Sequence, residues 1–237
     1  MAERQTVRSL MRIVSLVPSS TETLIHLGAN VVACTRFCEQ PHLGNVGGTK
    51  NPDINAIVAL APDIVILDQE ENRQEDAAAL KEAGLELFVS DVVTLADALE
   101  LIQDLETLIG GTPTPNVAPE VTPIGLSIFV PIWRRPWMSI SGRTYGASLL
   151  NHLGCTLVTA EADDTYPEVQ LDEVSALAPD VIAVPSEPYE FNDTHLVELR
   201  NSSPDSTIVR VDGQDLFWWG SRTPSAITRL HDALNPL

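Results

Sequence analysis

One pattern occurs twice in this sequence, and the repeat limits the possible folds more than any other feature. Val58–Leu67 reads VALAPDIVIL and Ser175–Val184 reads SALAPDVIAV. Each copy is typical of the last turn of a helix, a Pro-Asp pair that ends the helix, and a β-branched run short enough for a buried strand. A helix that leads into a buried strand indicates an α/β fold with parallel strands.

A second repeated motif indicates that the whole first half was duplicated. His26–Ala29 reads HLGA and His152–Cys155 reads HLGC, again one copy in each half. The 237 residues are enough for two lobes of roughly 100 residues, each with its own core. Two related α/β lobes predict a ligand cleft between them, because such folds bind ligands at the carboxyl ends of their strands.

The segment between the two repeat copies is predicted to connect the two lobes. Thr94–Ile109 has apolar residues at spacings of three and four, which predicts one continuous amphipathic helix packed along both lobes. The Pro-rich stretch 112–119 follows Gly110-Gly111 and is the clearest boundary in the chain. The sequence therefore predicts an N-terminal α/β lobe at residues 1–93, a connecting helix and linker at 94–123, and a C-terminal α/β lobe at 124–237.

The charge excludes several partners. The formal net charge is −19, and Lys50 and Lys81 are the only lysines, so the chain lacks the basic clusters that bind nucleic acid or anionic membranes. No apolar run approaches the roughly 20 residues of a membrane-spanning helix. Arg4, Arg8 and Arg12 are not followed by the apolar segment of a secretory signal, which predicts a cytoplasmic location.

The aromatic residues are concentrated in the second half, because only Phe37 and Phe88 lie in the first. Most of them follow predicted strands, where they suit a large flat ligand. Arginines in similar loops can contact carboxylates or phosphate. In the first half, Ser19 and Glu22 have capping-box spacing, which places free N–H groups of a helix N-terminus near the cleft. The predicted ligand-binding residues are Ser19, Ser20, Arg36, Phe37, Trp133, Trp137, Tyr189, Trp218, Trp219 and Arg222.

The three cysteines are too few for a disulfide framework. Cys34 ends a predicted strand and Cys155 begins another, so both are predicted to be small core residues. Cys38 lies in the polar loop that follows the first of these strands, beside Glu39 and His42.

Several motifs together resemble the helical-backbone (class III) solute-binding proteins, the binding components of cobalamin and iron-chelate ABC importers. They are Val14–Glu22, which reads VSLVPSSTE, Leu27-Gly28, the two repeats, Trp133–Met138 and Glu187-Pro188-Tyr189. The resemblance covers nearly the whole chain. It implies two Rossmann-like lobes joined by one rigid helix, with a cobalamin, haem or ferric-siderophore type ligand held between them.

The resemblance also implies an ABC permease as a partner, but three features depart from the family, one of which is a shorter connecting segment after Gly111. Family members carry one glutamate per lobe that docks onto permease arginines, and the matching positions here are Asn55 and Asp172. This departure predicts weak or no binding to a permease. The family is exported or lipid-anchored, so an extracytoplasmic location is the alternative to a cytoplasmic carrier or sensor.

Two other classes of function compete with ligand binding. An enzyme could use Glu39 with His42, or Glu187 with Tyr189, as an acid/base pair. A metal site could use Cys38, Glu39 and His42. The sequence has no nucleophile elbow, Walker loop or HExxH motif. We therefore predict a binding protein rather than an enzyme, with no catalytic residues, no metal ion and no cofactor.

Overall fold

The computed structural model describes residues 11–235, so Arg4 and Arg8 lie outside the described residues. The chain divides into two compact units. The first comprises the chain up to Val92, Ala96–Asn116 and Trp219–Ser221, and the second comprises Val93–Leu95, Val117–Trp218 and the chain from Arg222. Each unit contains a parallel sheet, which confirms the predicted α/β class.

The first unit contains seven strands and three helices before the segment that follows its sheet, within the described residues. The elements are β1 Ile13–Ser15, α1 Pro18–His26, β2 Val31–Cys34, β3 Gly44–Asn45, β4 Gly47–Gly48, β5 Asn51–Pro52, α2 Ile54–Ala59, β6 Ile64–Asp68, α3 Gln74–Glu82 and β7 Leu87–Ser90. The main sheet has the order β3-β2-β1-β6-β7, with every neighbouring pair parallel.

The segment that follows the first sheet is a single helix, α4 Leu95–Leu108, as the apolar spacing predicts. Its buried side chains include Ala98, Ile102 and Leu105, which recur at the expected three- and four-residue intervals. Residues 111–126 form neither helix nor strand. The predicted packing of this helix along both lobes stays a prediction.

The second unit repeats the topology of the first. The elements are β8 Ser127–Phe129, β9 Pro131–Trp133, β10 Met138–Ser139, α5 Tyr145–His152, β11 Thr156–Leu157, α6 Leu171–Ala176, β12 Val181–Pro185, α7 Asp193–Ser202, β13 Thr207–Val211, α8 Gly213–Phe217 and α9 Thr223–Leu234. The sheet has the order β11-β8-β12-β13, which matches β2-β1-β6-β7 of the first unit position by position.

The repeated Pro-Asp pairs have the same structural role in both units. The Asp63 carboxylate accepts a hydrogen bond from the backbone N–H of Arg12 at 2.7 Å, just before β1. The Asp180 carboxylate accepts one from the backbone N–H of Ser127 at 2.8 Å, at the start of β8. Each aspartate therefore joins the start of its own strand to the start of the neighbouring strand in the sheet.

The backbone turns of the repeats also match. The residue before each repeated proline is left-handed, with φ of 46° at Ala61 and 47° at Ala178. The repeated HLG motif ends α1 and α5 with Gly28 and Gly154 at φ of 77° and 75°. Glycine adopts this conformation without steric cost, so the motif ends both helices in the same way.

Each sheet has its own apolar core. In the first unit the buried cluster contains Val14, Leu16, Ala33, Val46, Ile57, Val65, Leu67 and Leu80. In the second unit it contains Phe129, Val174, Ile182, Val184, Phe191 and Leu199. Within residues 11–235, no helix is both long and apolar enough to cross a membrane.

One local prediction differs from the structure. The capping box at Ser19 is wrong, because α1 begins at Pro18, whose fixed φ suits the first helical position, and the N-cap residue is Val17. After β13, Asp212 caps the short helix α8. The stretch after β8 turns back as the β9–β10 hairpin.

Candidate functional site

Five rings in the second unit form a continuous aromatic cluster, which we call the aromatic platform: Trp133, Trp137, Tyr189, Phe191 and His195. The ring centroids of Trp133 and Tyr189 are 5.0 Å apart in an edge-on arrangement. Tyr189 lies 4.9 Å from Phe191, which is stacked parallel to Trp137 at 5.8 Å. His195 contacts Tyr189 at 5.6 Å. These separations are typical of favourable aromatic pairs.

The sheet topology brings these rings together from distant parts of the sequence. Trp133 and Trp137 belong to the β9–β10 hairpin, which follows β8, and Tyr189 and Phe191 belong to the loop after β12. Strands β8 and β12 are parallel neighbours, so their carboxyl ends meet at the same edge of the sheet. The aromatic platform therefore lies where α/β folds place ligands.

An ion pair supports the aromatic platform from one side. The Arg134 guanidinium binds both carboxylate oxygens of Glu198, with Nε 2.8 Å from Oε2, and lies 5.6 Å from the centroid of the Trp137 ring. Hydrogen bonds between the two side chains raise the pKa of Arg134 and lower the pKa of Glu198. Both groups therefore stay charged at neutral pH, and the guanidinium has a fixed position beside the ring.

The rings differ in how much surface they expose. Trp133 is 44% exposed. Trp137 and Tyr189 are partly buried and pack against the core cluster of the second unit, in which Phe191 is only 3% exposed. Trp133 is therefore the ring with most surface available to a ligand, and the other rings hold it in position.

Two more predicted site residues form a separate pair in the second unit. The Arg222 guanidinium lies 5.2 Å from the centroid of the Trp218 ring. Arg222 also donates to Gln214 at 3.1 Å, and it shares the buried carboxylate of Asp215 with Arg229. These contacts hold the guanidinium against the Trp218 ring, after β13 and thus again beyond the carboxyl end of a strand.

In the first unit, Arg36 and Phe37 lie together in an exposed turn after β2. The Arg36 guanidinium is 4.8 Å from the centroid of the Phe37 ring, which is 49% exposed. Beside the turn lies an open depression of about 280 Å³, whose lining includes Arg36, Cys34 and Asn45. The turn offers an exposed cation and an exposed ring next to a concave surface.

The remaining predicted ligand-binding residues are buried. Ser19 and Ser20 lie in the first turn of α1, with 4% and 0% of their surface exposed. The Ser20 hydroxyl has no hydrogen-bond partner within the described residues. Trp219 is 5% exposed and belongs to the first unit, although Trp218 belongs to the second. A role for these three side chains in ligand binding stays a prediction.

The alternative sites gain no support from the geometry. Glu39 and His42 are exposed, whereas Cys38 is 2% exposed. Among residues 11–235, no group of three His, Cys, Asp or Glu side chains could hold a metal ion.

Sequence reasoning missed part of the aromatic platform. Neither Phe191 nor His195 is among the predicted ligand-binding residues. A signal for His195 was present, because Asn192 lies three residues earlier and caps α7 by accepting from the His195 backbone N–H at 3.3 Å. A capped N-terminus places the third residue of a helix beside the preceding loop, here the loop that carries Tyr189.

Comparison with solved structures identifies the class of proteins that has this fold. No protein-family model matches the chain. The periplasmic haem-binding protein HutB of Vibrio cholerae has a TM-score of 0.79 and 18% identity, over 95% of this chain and 99% of that chain. The periplasmic haem-binding protein RhuT of Roseiflexus, in apo form, has a TM-score of 0.80 and 21% identity, over 95% and 98%. This chain therefore has the fold of the periplasmic solute-binding proteins.

Within this class, sequence similarity points to particular relatives. The vitamin B12-binding protein of Photorhabdus laumondii is 24% identical in an alignment 196 positions long, which covers 73% of this chain and 70% of the relative. The vitamin B12-binding protein of Vibrio campbellii is 23% identical in an alignment 244 positions long, which covers 92% of this chain and 87% of the relative. The resemblance to class III solute-binding proteins is thus confirmed, and these relatives are named as binding proteins rather than enzymes.

Proposed function

We propose that this protein is a solute-binding protein for a large flat ring system of the corrinoid or haem type, with a ferric siderophore as the further candidate. The observation that carries the proposal is the aromatic platform, which presents Trp133 at the carboxyl edge of the second sheet. The similarity to vitamin B12-binding proteins over most of the chain supports the same ligand class.

The chemistry of these ligands fits the side chains at the two sheet edges. A planar macrocycle offers flat apolar faces, and stacking on an aromatic ring contributes on the order of 1 kcal/mol beyond the burial of area. Haem also carries carboxylates and cobalamin a phosphate, which guanidinium groups bind well. Arg36 is exposed in the first unit, and Arg222 is held beside Trp218 in the second.

The test is a titration of the full chain with cyanocobalamin, haemin and a ferric siderophore, followed by tryptophan fluorescence. We expect one of the three to quench the fluorescence with a saturable curve. Trp133→Ala should then weaken binding about tenfold, since one stacking contact is lost. The melting temperature should change little, because an exposed ring leaves no core cavity.

Leu177→Ala is the matched control. Leu177 is 54% exposed in the same unit, but it lies just before β12, at the opposite end of the sheet from the aromatic platform. This variant should bind like the wild type. Equal weakening by both substitutions, or a Trp133→Ala variant that binds normally, would overturn the assignment of the aromatic platform as the ligand surface.

We also propose that the protein binds a permease weakly or not at all and acts as a cytoplasmic carrier or sensor. Asn55 and Asp172 are both exposed, and Asn55 carries no charge with which to pair a permease arginine. Fractionation of the native host tests the location. Recovery of the protein with the membrane or in an extracytoplasmic fraction would contradict this proposal and favour a role in import.

A further inference from the structure

The second unit has an open depression of about 280 Å³ at the amino ends of β12 and β13. It lies between the connection from α6 to β12, which contains the repeated Pro-Asp pair, and the connection from α7 to β13. The polar side chains of its lining are Ser175, Asp180, Ser203, Asp205 and Ser206. The aromatic platform lies at the opposite end of the same sheet, so this depression is separate from the proposed ligand surface.

Hydrogen bonds between the two connections fix the walls of the depression. The Ser206 hydroxyl donates to the carbonyl of Pro179 at 2.6 Å, and the Thr207 N–H donates to the carbonyl of Asp180 at 2.9 Å. The Ser206 N–H donates to the carbonyl of Ser203 at 3.2 Å and closes the second connection as a turn. A ligand therefore binds here without the cost of ordering the chain.

The lining includes one buried hydroxyl that the protein itself leaves without a partner. Ser203 is 4% exposed, and its hydroxyl oxygen has no hydrogen-bond partner within the described residues. A buried polar group without a partner costs free energy, so folded proteins contain few of them. An N–H donor in the depression supplies the missing partner.

The charge of the depression favours a cation. Asp180 and Asp205 belong to its lining, and none of the described lining residues is basic. The hydroxyl and the backbone N–H of Ser127 donate to Asp180 and lower its pKa, so this carboxylate is charged at neutral pH. Ser203 is also the C-cap of α7, and the C-terminus of a helix carries a partial negative charge. Since no metal-binding group occurs among residues 11–235, the features favour an organic cation with N–H donors.

The polar lining distinguishes the second unit from the first. The connection between α3 and β7 has four residues, 83–86, which read AGLE, and Leu85 packs against the core of the first unit. The matching connection between α7 and β13 also has four residues, 203–206, but these read SPDS. The duplicated fold therefore does not require the serines and the aspartate of this connection.

The first unit shows that the repeated turn binds a guanidinium group. The Arg12 guanidinium donates to the carbonyl of Leu60 at 2.8 Å, directly before the Ala-Pro-Asp part of the first repeat. In the second unit, Ser127 takes the place of Arg12, because its backbone N–H bonds the repeated aspartate in the same way. The second copy of the turn thus lacks the arginine that the first copy has at this position.

We propose that the depression in the second unit binds a guanidinium group, either of a small organic cation or of an arginine side chain in a partner protein. A guanidinium has five N–H donors in a fixed planar arrangement. It donates to the Asp205 carboxylate and to the Ser203 hydroxyl, and its charge offsets those of Asp205 and Asp180. The proposal goes beyond the proposed function, since it concerns the other end of the sheet.

The test follows the backbone amide signals of the full chain by NMR during a titration with methylguanidinium chloride. Salt at about 0.15 M weakens the general attraction of cations to a chain of charge −19. We expect saturable shifts confined to the amides around Ser203, Asp205 and Ser206. Asp205→Asn should weaken binding about tenfold, because a charge-assisted hydrogen bond is lost. Asp164→Asn is the matched control, since Asp164 is exposed in the same unit outside the depression, and it should bind like the wild type.

Ser203→Ala separates a role in binding from a role in folding. This variant should bind methylguanidinium about threefold more weakly, because one hydrogen-bond acceptor is lost. Its melting temperature without the cation should not fall, since the hydroxyl makes no hydrogen bond within the described residues. A lower melting temperature together with unchanged binding would contradict the proposal.

Two further probes with the same single charge complete the test. Tetramethylammonium has no N–H donor and should give no saturable shifts at these amides. Shifts by methylguanidinium that do not saturate, equal binding of tetramethylammonium, or equal weakening by Asp205→Asn and Asp164→Asn would overturn the proposal. A blocked neutral peptide with one arginine distinguishes the two sources. Tighter binding than methylguanidinium supports a partner protein, and weaker binding supports a small cation. None of these measurements uses a corrinoid, haem or siderophore, so their failure would leave the proposed function untouched.

Discussion

At the scale of single residues, Asp63 and Asp180 show why the repeated pattern contains an aspartate. Each carboxylate accepts from a backbone N–H at the start of a neighbouring strand, a group that the parallel ladder leaves without a strand partner. Asp180 also accepts from the Ser127 hydroxyl at 2.6 Å, and these bonds lower its pKa. The proline ends the helix, and the aspartate then aligns the next strand.

Replacement of Asp180 should therefore have a pH-dependent effect. Because the folded state lowers the pKa of Asp180, its charged form stabilises the fold at every pH above its ordinary value of 3.8. This contribution is lost as the pH falls through the lower folded value. Asp180→Ala should reduce the free energy of unfolding at pH 7, and the difference from wild type should shrink in strong acid. Urea denaturation at several pH values measures this.

Asp205→Ala is the comparison, since Asp205 is an exposed aspartate in the same unit. It should unfold like the wild type at neutral pH. A constant difference between wild type and Asp180→Ala over the whole acid range would show that the carboxylate charge is not what stabilises the strand.

At the scale of elements, the stability of helix α2 comes from its N-terminal cap more than from its length. It spans only Ile54–Ala59, and short helices are marginal without tertiary contacts. The Asp53 carboxylate accepts from the backbone N–H of Ala56 at 3.0 Å, and Ile57 buries its side chain in the core. The cap and one buried anchor therefore position the helix that leads into the first repeat strand.

Asp53→Ala should destabilise the protein by about 1 kcal/mol, because an unsatisfied N–H group is left at the helix N-terminus. Chemical denaturation measures the change. Asn55→Ala is the matched control on the same helix, since Asn55 is exposed and does not cap it. If both substitutions cost the same, the capping bond contributes nothing specific.

At the scale of the whole molecule, the charge of −19 dominates the response to salt. A compact state with this excess of negative charge is destabilised by self-repulsion. The Debye length falls from about 30 Å at 0.01 M salt to about 10 Å at 0.1 M. Exposed ion pairs that salt weakens, such as that of Arg73 with Glu75, contribute little to stability.

We therefore expect the melting temperature to rise between about 0.01 M and about 0.1 M salt. Thermal denaturation in NaCl and in KCl measures this rise. An equal rise in both salts would exclude specific binding of Na⁺ or K⁺ as its cause. A melting temperature that falls with added salt would indicate that attractive ion pairs outweigh the repulsion.

The sequence alone determined the α/β class, the helix-to-strand order of the two repeat copies and the helix α4. The signals for these features are local, because Pro-Asp stops, terminal glycines and apolar periodicity act on neighbouring residues. The resemblance to solute-binding proteins rested on the same motifs. Sequence reasoning also predicted that Trp133, Trp137, Tyr189 and Trp218 form one stacking surface, because most of the aromatic residues follow strands, and their role in ligand binding stays a prediction.

Only the tertiary structure decided which of the predicted site residues are exposed and which lie together. Trp133 and Tyr189 meet because β8 and β12 are neighbours in the sheet, a pairing that depends on residues far apart in the sequence. Trp218 and Trp219 are adjacent in sequence, yet they fall in different units. Burial is set by what packs on a side chain from elsewhere in the fold, and periodicity within one segment does not contain that information.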